Sequence, residues 1–293
     1  MDTQTAHCAS TPGSLKLPFT SSPHKRALSD LCRYLMTLAS NEIATTELSR
    51  SALVFSPHPD DESLGCGGTI IKKKQVGATV NLVHMTDGSG SHRGVISALE
   101  LREIRARESV NAARVLGVDH TYFLDFEDTR LTENVGRATE RVVEILRKEK
   151  PEEVFVPHRL EPMRQAADHV ATTAIVLAAL DEYRTRVTVW EYPVWFWLHW
   201  PWVGLRPQCP PIKARHIARN TLHSSFGLRA FKELRRYVDI ADVVGQKRAA
   251  LAEHKSQMTK LMPDWSTLNQ VSRGQFLDCF YYRREFFRLS VIG

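Results

Sequence analysis

The sequence predicts an α/β protein, a Rossmann-like three-layer sandwich with a mostly parallel sheet and an active site at the carboxyl ends of its strands. Short β-prone runs alternate with long amphipathic helices, which is the βαβ pattern of a doubly wound sheet. Histidines and carboxylates follow directly after predicted strands, at the edge where such sheets bind ligands. The chain has 293 residues, of which 43% are hydrophobic, enough for a globular core of this kind.

The predicted strands are short apolar runs that end in prolines or polar clusters. The first strand, 52–55, reads Ala-Leu-Val-Phe and is followed by Ser-Pro-His-Pro. The second strand, 79–85, leads into the polar loop 86–92. Three further strands are predicted at 121–124, 153–156 and 187–192.

Helices are predicted where apolar residues recur at steps of three and four. In the first helix, 26–44, this stripe consists of Leu28, Leu31, Leu35 and Leu38. Gly117 is expected to cap a helix over 96–116. The glycines between 65 and 68 are expected to form a turn that packs closely on the first strand. The remaining helices are predicted at 69–74, 134–148 and 167–180 and within 238–261.

We expect one catalytic domain over residues 26–293, preceded by a flexible leader. Residues 1–25 are rich in Ser, Thr and Pro and show no periodicity. The domain is expected to end in a helical and aromatic extension, in which the aromatic side chains of 280–287 pack on the core. For the aromatic run 195–202 we favour core packing over stacking on the ring of a ligand or a subunit interface.

Composition argues against several classes of protein. The net charge of +6 is spread along the chain, whereas nucleic-acid binding would call for a focused basic patch. Five cysteines without a Cys-x-x-Cys pair fit a reducing compartment, so we predict a cytoplasmic protein. No apolar run approaches the roughly 18 residues of a membrane span. No Gly-x-Gly-x-x-Gly motif supports a dinucleotide site. A homo-oligomer is compatible with the sequence, which leaves the oligomeric state open.

One histidine and three carboxylates crowd the end of the first predicted strand. They lie in Ser56-Pro57-His58-Pro59-Asp60-Asp61-Glu62. Imidazole nitrogens and carboxylate oxygens are ligands that zinc and similar divalent metals accept. The segment therefore predicts a metal site at the carboxyl edge of the sheet.

His58 and Asp61 alone would leave such a metal under-coordinated, because catalytic zinc usually takes three protein ligands. His169 is a candidate for the third ligand, since it lies in the first turn of a helix that follows another strand. His158, at the end of the strand 153–156, is the alternative. The residues themselves leave this choice open.

The string His58-Pro59-Asp60-Asp61-Glu62, with Gly67-Gly68 and the later pair Asp168-His169, resembles the LmbE/PIG-L family of zinc-dependent N-acetylglucosamine deacetylases. The resemblance covers roughly residues 50–260. Further matching positions are Thr86-Asp87-Gly88, Arg105, Glu108, Leu116-Gly117-Val118, Asp128, Lys247 and His254-x-Ser256-Gln257.

The resemblance implies that His58, Asp61 and His169 hold Zn²⁺, or another divalent ion such as Fe²⁺, and that Asp60 is the general base. Two other roles for nearby carboxylates stay open. Asp60 could instead cap the following helix, and Glu62 could orient a metal ligand.

The resemblance also implies substrate contacts, with Arg105 and Asp128 expected to bind sugar hydroxyls. Many family members carry a histidine where this chain has Ala166, and that histidine is thought to stabilise the oxyanion. Candidates for this charge or for other substrate contacts are Arg105, His92, His158 and His254. The loop 163–165 is expected to face the substrate.

The predicted function is that of a metal-dependent hydrolase that removes an acetyl group from the amine of an N-acetyl amino-sugar conjugate, a small molecule. The alternative is a catalytically weak or silent LmbE-like carbohydrate-binding protein. A phosphate-handling enzyme is poorly supported, because no Gly-Lys-Ser/Thr follows the glycine-rich segment.

Overall fold

The structure is a computed structural model that describes residues 23–162, 166–205 and 213–292. Within these residues, eight strands form one mixed sheet in the order β1-β7-β8-β6-β5-β2-β3-β4. The strands are β1 (Asn41–Glu42), β2 (Ala52–Ser56), β3 (Val80–Thr86), β4 (His120–Phe126), β5 (Glu153–Pro157), β6 (Val187–Tyr192), β7 (Arg236–Asp239) and β8 (Arg284–Ile292).

A switch point in the strand order creates the crevice in which the site lies. Strands β2 to β6 are parallel to one another. The chain adds β3 and β4 on one side of β2 and then crosses over to add β5 and β6 on the other. Because the order reverses between β2 and β5, a crevice opens at the carboxyl ends of these two strands.

Helices cover both faces of the sheet. The side chains of β2 alternate between these two faces. Val54 packs with Ile70 in the hydrophobic core on one face, and Phe55 packs with Ile175 in the core on the other. In the described part of the chain, no helix is long and apolar enough to cross a membrane. The helices are α1 (Pro23–Leu38), α2 (Thr45–Leu48), α3 (Asp61–Gln75), α4 (Ala98–Leu116), α5 (Val135–Glu149), α6 (Ala167–Tyr183), α7 (Ala214–His223), α8 (Leu228–Glu233), α9 (Val244–Ala252), α10 (Lys255–Met258) and α11 (Gln275–Asp278), with 3₁₀ turns at Leu131–Asn134, Trp195–Trp197 and Leu268–Gly274.

The predicted α/β class and its parallel strands are confirmed. All five predicted strands are present, each within two residues of its expected bounds. Gly117 caps α4 with a φ of 80°, as expected for a left-handed C-cap.

The expected turn between 65 and 68 is wrong, because α3 already begins at Asp61 and is interrupted only by the non-helical backbone of Cys66. The glycines do permit close packing, as expected. A side chain at Gly65 would overlap the ring of Tyr192 in β6, and one at Gly68 would collide with Ile240. The close neighbours are thus β6 and the segment after β7. Both lie far from the glycines in the sequence, so no local pattern indicates these contacts.

The ends of the chain depart further from expectation. α1 ends at Leu38 because the residues that follow pair with β7. Residues 236–239 are a strand, so helix within 238–261 is confined to α9 and α10. The expected leader falls mainly on residues 1–22, which lie outside the described residues, and 23–25 begin α1.

The expected helical and aromatic extension is corrected at residues 284–292, which form an internal strand. β8 runs antiparallel between β6 and β7. Its Phe286 and Phe287 are 4% and 0% exposed, so neighbouring side chains are buried on opposite faces. The core packing favoured for the aromatic run 195–202 is confirmed, because Trp197 and Trp202 belong to the main hydrophobic cluster.

His199 makes the stability of the fold sensitive to pH. The residue is buried, and its Nδ1 lies 2.6 Å from the carbonyl oxygen of Phe196. Burial lowers the pKa of His199 to about 4. Below pH 6.5 the unfolded chain therefore takes up a proton that the folded chain does not. The free energy of unfolding consequently falls as the pH drops from 6.5 towards 4.

We expect the wild type to lose about 2 kcal/mol more unfolding free energy than His199→Asn between pH 6.5 and pH 4.5. Asparagine keeps a donor for the Phe196 carbonyl but does not titrate. Urea denaturation of both proteins at the two pH values measures the difference. The contributions of the other titrating groups are the same in both proteins and therefore cancel. Equal losses in the two proteins would contradict the expectation.

Candidate metal centre and active site

His58 and Asp61 lie side by side at the carboxyl end of β2. Asp61 is the first residue of α3, so the turn out of β2 brings its side chain back towards His58. Asp61 Oδ2 accepts a hydrogen bond from the His58 backbone N–H at 3.0 Å and lies 3.1 Å from His58 Nδ1. Burial would raise the pKa of Asp61, but the His169 and His58 rings outweigh burial and hold it well below its usual range.

His169 reaches the same carboxylate from the first turn of α6. Its Nε2 lies 3.2 Å from Asp61 Oδ2, and its Nδ1 lies 2.7 Å from Glu161 Oε2. Burial lowers the pKa of His169, but Asp61 and Glu161 together raise it to about 9. The surroundings of this ring thus favour positive charge, as a cation site does.

The donor atoms of His58, Asp61 and His169 all lie within 4.8 Å of one another, so they could hold a metal ion. Ligand atoms of a tetrahedral zinc ion are about 3.3 Å apart. The two nitrogens facing Asp61 Oδ2 lie 3.1 and 3.2 Å from it. Two imidazoles and one carboxylate also make up a known type of catalytic zinc site, which keeps a fourth position for water. The donor set therefore fits a divalent ion such as zinc.

The other side of the His58 ring faces two carboxylates. Its Nε2 lies 3.2 Å from Asp128 Oδ1 and 3.3 Å from Asp168 Oδ2. These three side chains form a second group that could hold a metal. However, Asp168 accepts the backbone N–H of Thr129 at 2.7 Å, and Asp128 accepts that of Gly90 at 2.9 Å. Carboxylates at the second nitrogen of a ligand histidine orient its ring, so the placement of Asp128 and Asp168 at Nε2 suits holding Nδ1 towards Asp61.

Asp60 lies next to this cluster in an unfavourable backbone conformation. Its φ of 129° is rare for a residue with a side chain, and such strain typically costs about 1–3 kcal/mol. Its side chain makes no capping hydrogen bond to α3, so the alternative role as a helix cap is wrong. Burial raises the pKa of Asp60 to about 7, with Arg105 opposing the rise and Asp61 adding to it. A carboxyl group with a pKa near neutrality suits general acid–base work.

Arg105 is buried against Asp60. The residue is 2% exposed, and its Nη2 lies 3.3 Å from Asp60 Oδ2. It donates to the carbonyl oxygen of Gly88 at 2.9 Å and to that of Pro59. Arg105 thus links α4 to the loops after β2 and β3. Its contact with a sugar, like that of Asp128, stays a prediction.

His92 and His254 are buried and engaged with protein groups. His92 Nε2 lies 2.9 Å from the carbonyl oxygen of Ser266, and the ring stacks on Trp265. His254 Nε2 lies 3.1 Å from Glu62 Oε1. Neither belongs to a potential metal-binding group among the described residues.

His158, the alternative third ligand, belongs to neither potential metal-binding group of the described residues. Its Nδ1 accepts the backbone N–H of Leu160 at 3.2 Å, and its ring packs on Phe196. Burial lowers the pKa of His158 to about 4. Ala166 is 1% exposed at the start of α6, and the expected substrate loop 163–165 lies outside the described residues.

Sequence reasoning missed Glu161. Its Oε2 faces His169, and its Oε1 accepts the backbone N–H of Val194 at 2.5 Å. Carboxylates that face the second nitrogen of a ligand histidine fix the orientation of the ring. The available signal was its position, four residues after the end of β5 at the switch point.

We expect Glu161→Gln to weaken metal affinity about 10- to 100-fold, because an amide orients the His169 ring less firmly than a carboxylate. Competition with a chromogenic chelator measures the affinity. Glu153→Gln is the matched control, since Glu153 is equally buried at the other end of β5 and pairs with Lys73. Equal affinities for Glu161→Gln and the wild type would count against this role.

Comparison with known proteins supports the resemblance. Residues 53–180 match the family model described as PIG-L, GlcNAc-PI de-N-acetylase. The chain is 30% identical over 216 residues to the diacetylchitobiose deacetylase of Thermococcus kodakarensis, covering 71% of this chain and 70% of that protein. It is 26% identical over 242 residues to a 1D-myo-inositol 2-acetamido-2-deoxy-alpha-D-glucopyranoside deacetylase of Mycobacterium sp. strain KMS, covering 73% and 76%.

A solved structure shows the same fold. The N,N'-diacetylchitobiose deacetylase from Pyrococcus horikoshii superposes with a TM-score of 0.61 and 23% identity, covering 93% of this chain and 94% of that one. The family resemblance first indicated by the sequence is confirmed by the 30% identical relative. The chain belongs to the PIG-L (LmbE) family of deacetylases.

Proposed function

We propose that this protein is a zinc-dependent N-deacetylase that hydrolyses the acetamido group of a small N-acetylglucosamine-type conjugate. One observation carries the proposal: His58, Asp61 and His169 converge in the switch-point crevice, and Asp60, the residue before Asp61, is buried close enough to Asp61 for their charges to interact. The relatives are named for substrates that share a 2-acetamido-2-deoxy sugar or its chitobiose dimer.

The chemistry needs an activated water and a proton carrier, because an amide is a poor electrophile and water a poor nucleophile. A zinc ion bound by His58, Asp61 and His169 would activate water and polarise the acetyl carbonyl. Asp60 takes the proton from the attacking water as the new C–O bond forms. It then delivers that proton to the amine nitrogen as the C–N bond breaks, which releases acetate and the free amino sugar.

The surrounding residues hold this arrangement. Glu161 orients His169, and Asp128 with Asp168 orients His58. Arg105 keeps a positive charge beside Asp60. This charge favours the ionised carboxylate against the effect of burial, so that Asp60 can act as a base near neutral pH.

The test combines metal analysis with hydrolysis assays. The purified protein is stripped with a chelator, reloaded with Zn²⁺ or Fe²⁺, and assayed for acetate release. The substrates are N,N'-diacetylchitobiose, an N-acetylglucosaminyl-inositol and free N-acetylglucosamine. The proposal expects activity that disappears on chelation and returns with about one metal per chain. Full activity of a metal-free preparation, or none in the loaded protein, would overturn it.

A further inference from the structure

Glu62 braces the strained turn that carries Asp60. Its carboxylate is 1% exposed. Oε2 accepts the backbone N–H of Asp60 at 3.1 Å and lies 3.0 Å from Ser56 Oγ. Oε1 accepts the hydroxyl of Ser63 at 2.7 Å. Both oxygens thus bind groups within the turn, and Oε2 holds the backbone of Asp60, the residue with the unfavourable φ.

Among the described residues, His254 makes the one hydrogen bond to this carboxylate that comes from a distant part of the sequence. It lies at the junction of α9 and α10, fully buried, with Nε2 3.1 Å from Glu62 Oε1. Its Nδ1 has no hydrogen-bond partner among the described residues. The proton of the ring therefore belongs on Nε2, where it is donated to Glu62. This bond restricts the rotation of the Glu62 carboxylate.

The segment around His254 is anchored on both sides. Ser256 donates its backbone N–H and its hydroxyl to the two carboxylate oxygens of Glu108 at 2.8 and 2.7 Å. Lys247 donates to the carbonyl oxygen of Leu64 in α3 at 2.7 Å. His254 is consequently held against the same helix that begins at the metal site.

We propose that Glu62 and His254 form a positioning pair that holds the backbone of Asp60 at positive φ, so that its carboxyl group stays beside the metal ligands. The pair rests on the proposed function, in which Asp60 carries the proton. Neither residue needs to touch the substrate, since both act through the turn. In this proposal His254 acts through the turn, and not as the charge of the histidine that family members carry at the position of Ala166.

Two substitutions of His254 separate positioning from simple packing. Leucine has a comparable size but no donor, whereas the amide of glutamine can place an N–H near the position of Nε2. We expect His254→Leu to lower kcat about 10- to 100-fold through misplacement of Asp60, with KM and metal content unchanged. We expect His254→Gln to stay within about threefold of the wild type, because the donor is restored. His199→Leu makes the same substitution at another buried histidine, away from the site, and is expected to keep the wild-type kcat.

A second measurement does not depend on activity. Amide hydrogen exchange at Asp60, followed by mass spectrometry of the peptide that contains residues 56–64, is expected to speed up in His254→Leu and not in His254→Gln or His199→Leu. Wild-type kcat and exchange in His254→Leu, or equal losses in the leucine and glutamine variants, would overturn the pair while leaving the deacetylase function intact. A metal-loaded wild type without hydrolase activity overturns the function instead, and exchange alone then decides whether Glu62 and His254 hold the turn.

Discussion

Replacing Asp60 with asparagine is expected to lower kcat for deacetylation about a thousandfold while the metal stays bound. Asparagine has nearly the same size and tolerates positive φ at least as well as aspartate, so the turn is kept. What it removes is the group that accepts the proton from water and returns it to the amine. Because Asp60 is not one of the three converging donors, metal content is expected to match the wild type.

The stability of Asp60→Asn separates a catalytic role from a structural one. Burial raises the pKa of Asp60 to about 7, against its usual value of 3.8, so the ionised carboxylate is unfavourable in the folded metal-free protein at pH 8. A neutral amide removes this penalty. We therefore expect the melting temperature of the metal-free variant at pH 8 to equal or exceed that of the wild type.

Asp125→Asn is the matched control for this experiment. Asp125 also has a positive φ, of 58°, but it is exposed and pairs with Arg102 outside the site. Its substitution is expected to leave kcat and metal content unchanged. If Asp60→Asn kept more than a tenth of the wild-type kcat, the proton would have to travel through another group.

Replacing His169 with alanine is expected to abolish both metal retention and activity. The change removes one of three donors and leaves Asp61 with His58 alone, and two ligands hold zinc poorly. We expect metal affinity to fall at least about 100-fold, beyond the effect of losing an orienting group such as Glu161. Metal content after dialysis and acetate release with excess Zn²⁺ measure the two effects, and circular dichroism checks that the variant is folded.

His158→Ala is the control, because His158 also follows β5 but faces Phe196 and the Leu160 backbone. It is expected to destabilise the fold while retaining about one metal per chain. The reverse result, with metal lost in His158→Ala and kept in His169→Ala, would move the site to the other histidine.

The fold distinguishes Asp60 from Asp61. The sequence makes the two neighbours alike, but the fold gives them opposite surroundings. Asp61 faces His58 and His169, which hold its pKa low, whereas burial raises the pKa of Asp60 to about 7. One carboxylate is therefore suited to hold a cation and the other to exchange a proton.

The sequence by itself determined the α/β class, the five parallel strands and the segment from His58 to Glu62, because local periodicity and short motifs encode these features. It also limited the candidates for the third metal ligand to two histidines, of which the family resemblance favoured His169. It did not reveal the internal position of β8, since pairing between distant strands leaves no local pattern.

Only the tertiary structure decided which groups support the site. Each supporting residue lies at least eight positions along the chain from the residue that it faces. Glu161 faces His169, Asp168 faces His58, and His254 faces Glu62. Such contacts depend on where β2, β5 and the α9–α10 junction meet in space. The tertiary structure also placed Asp60 at positive φ, because that conformation is unfavourable locally and persists only through the hydrogen bonds around it.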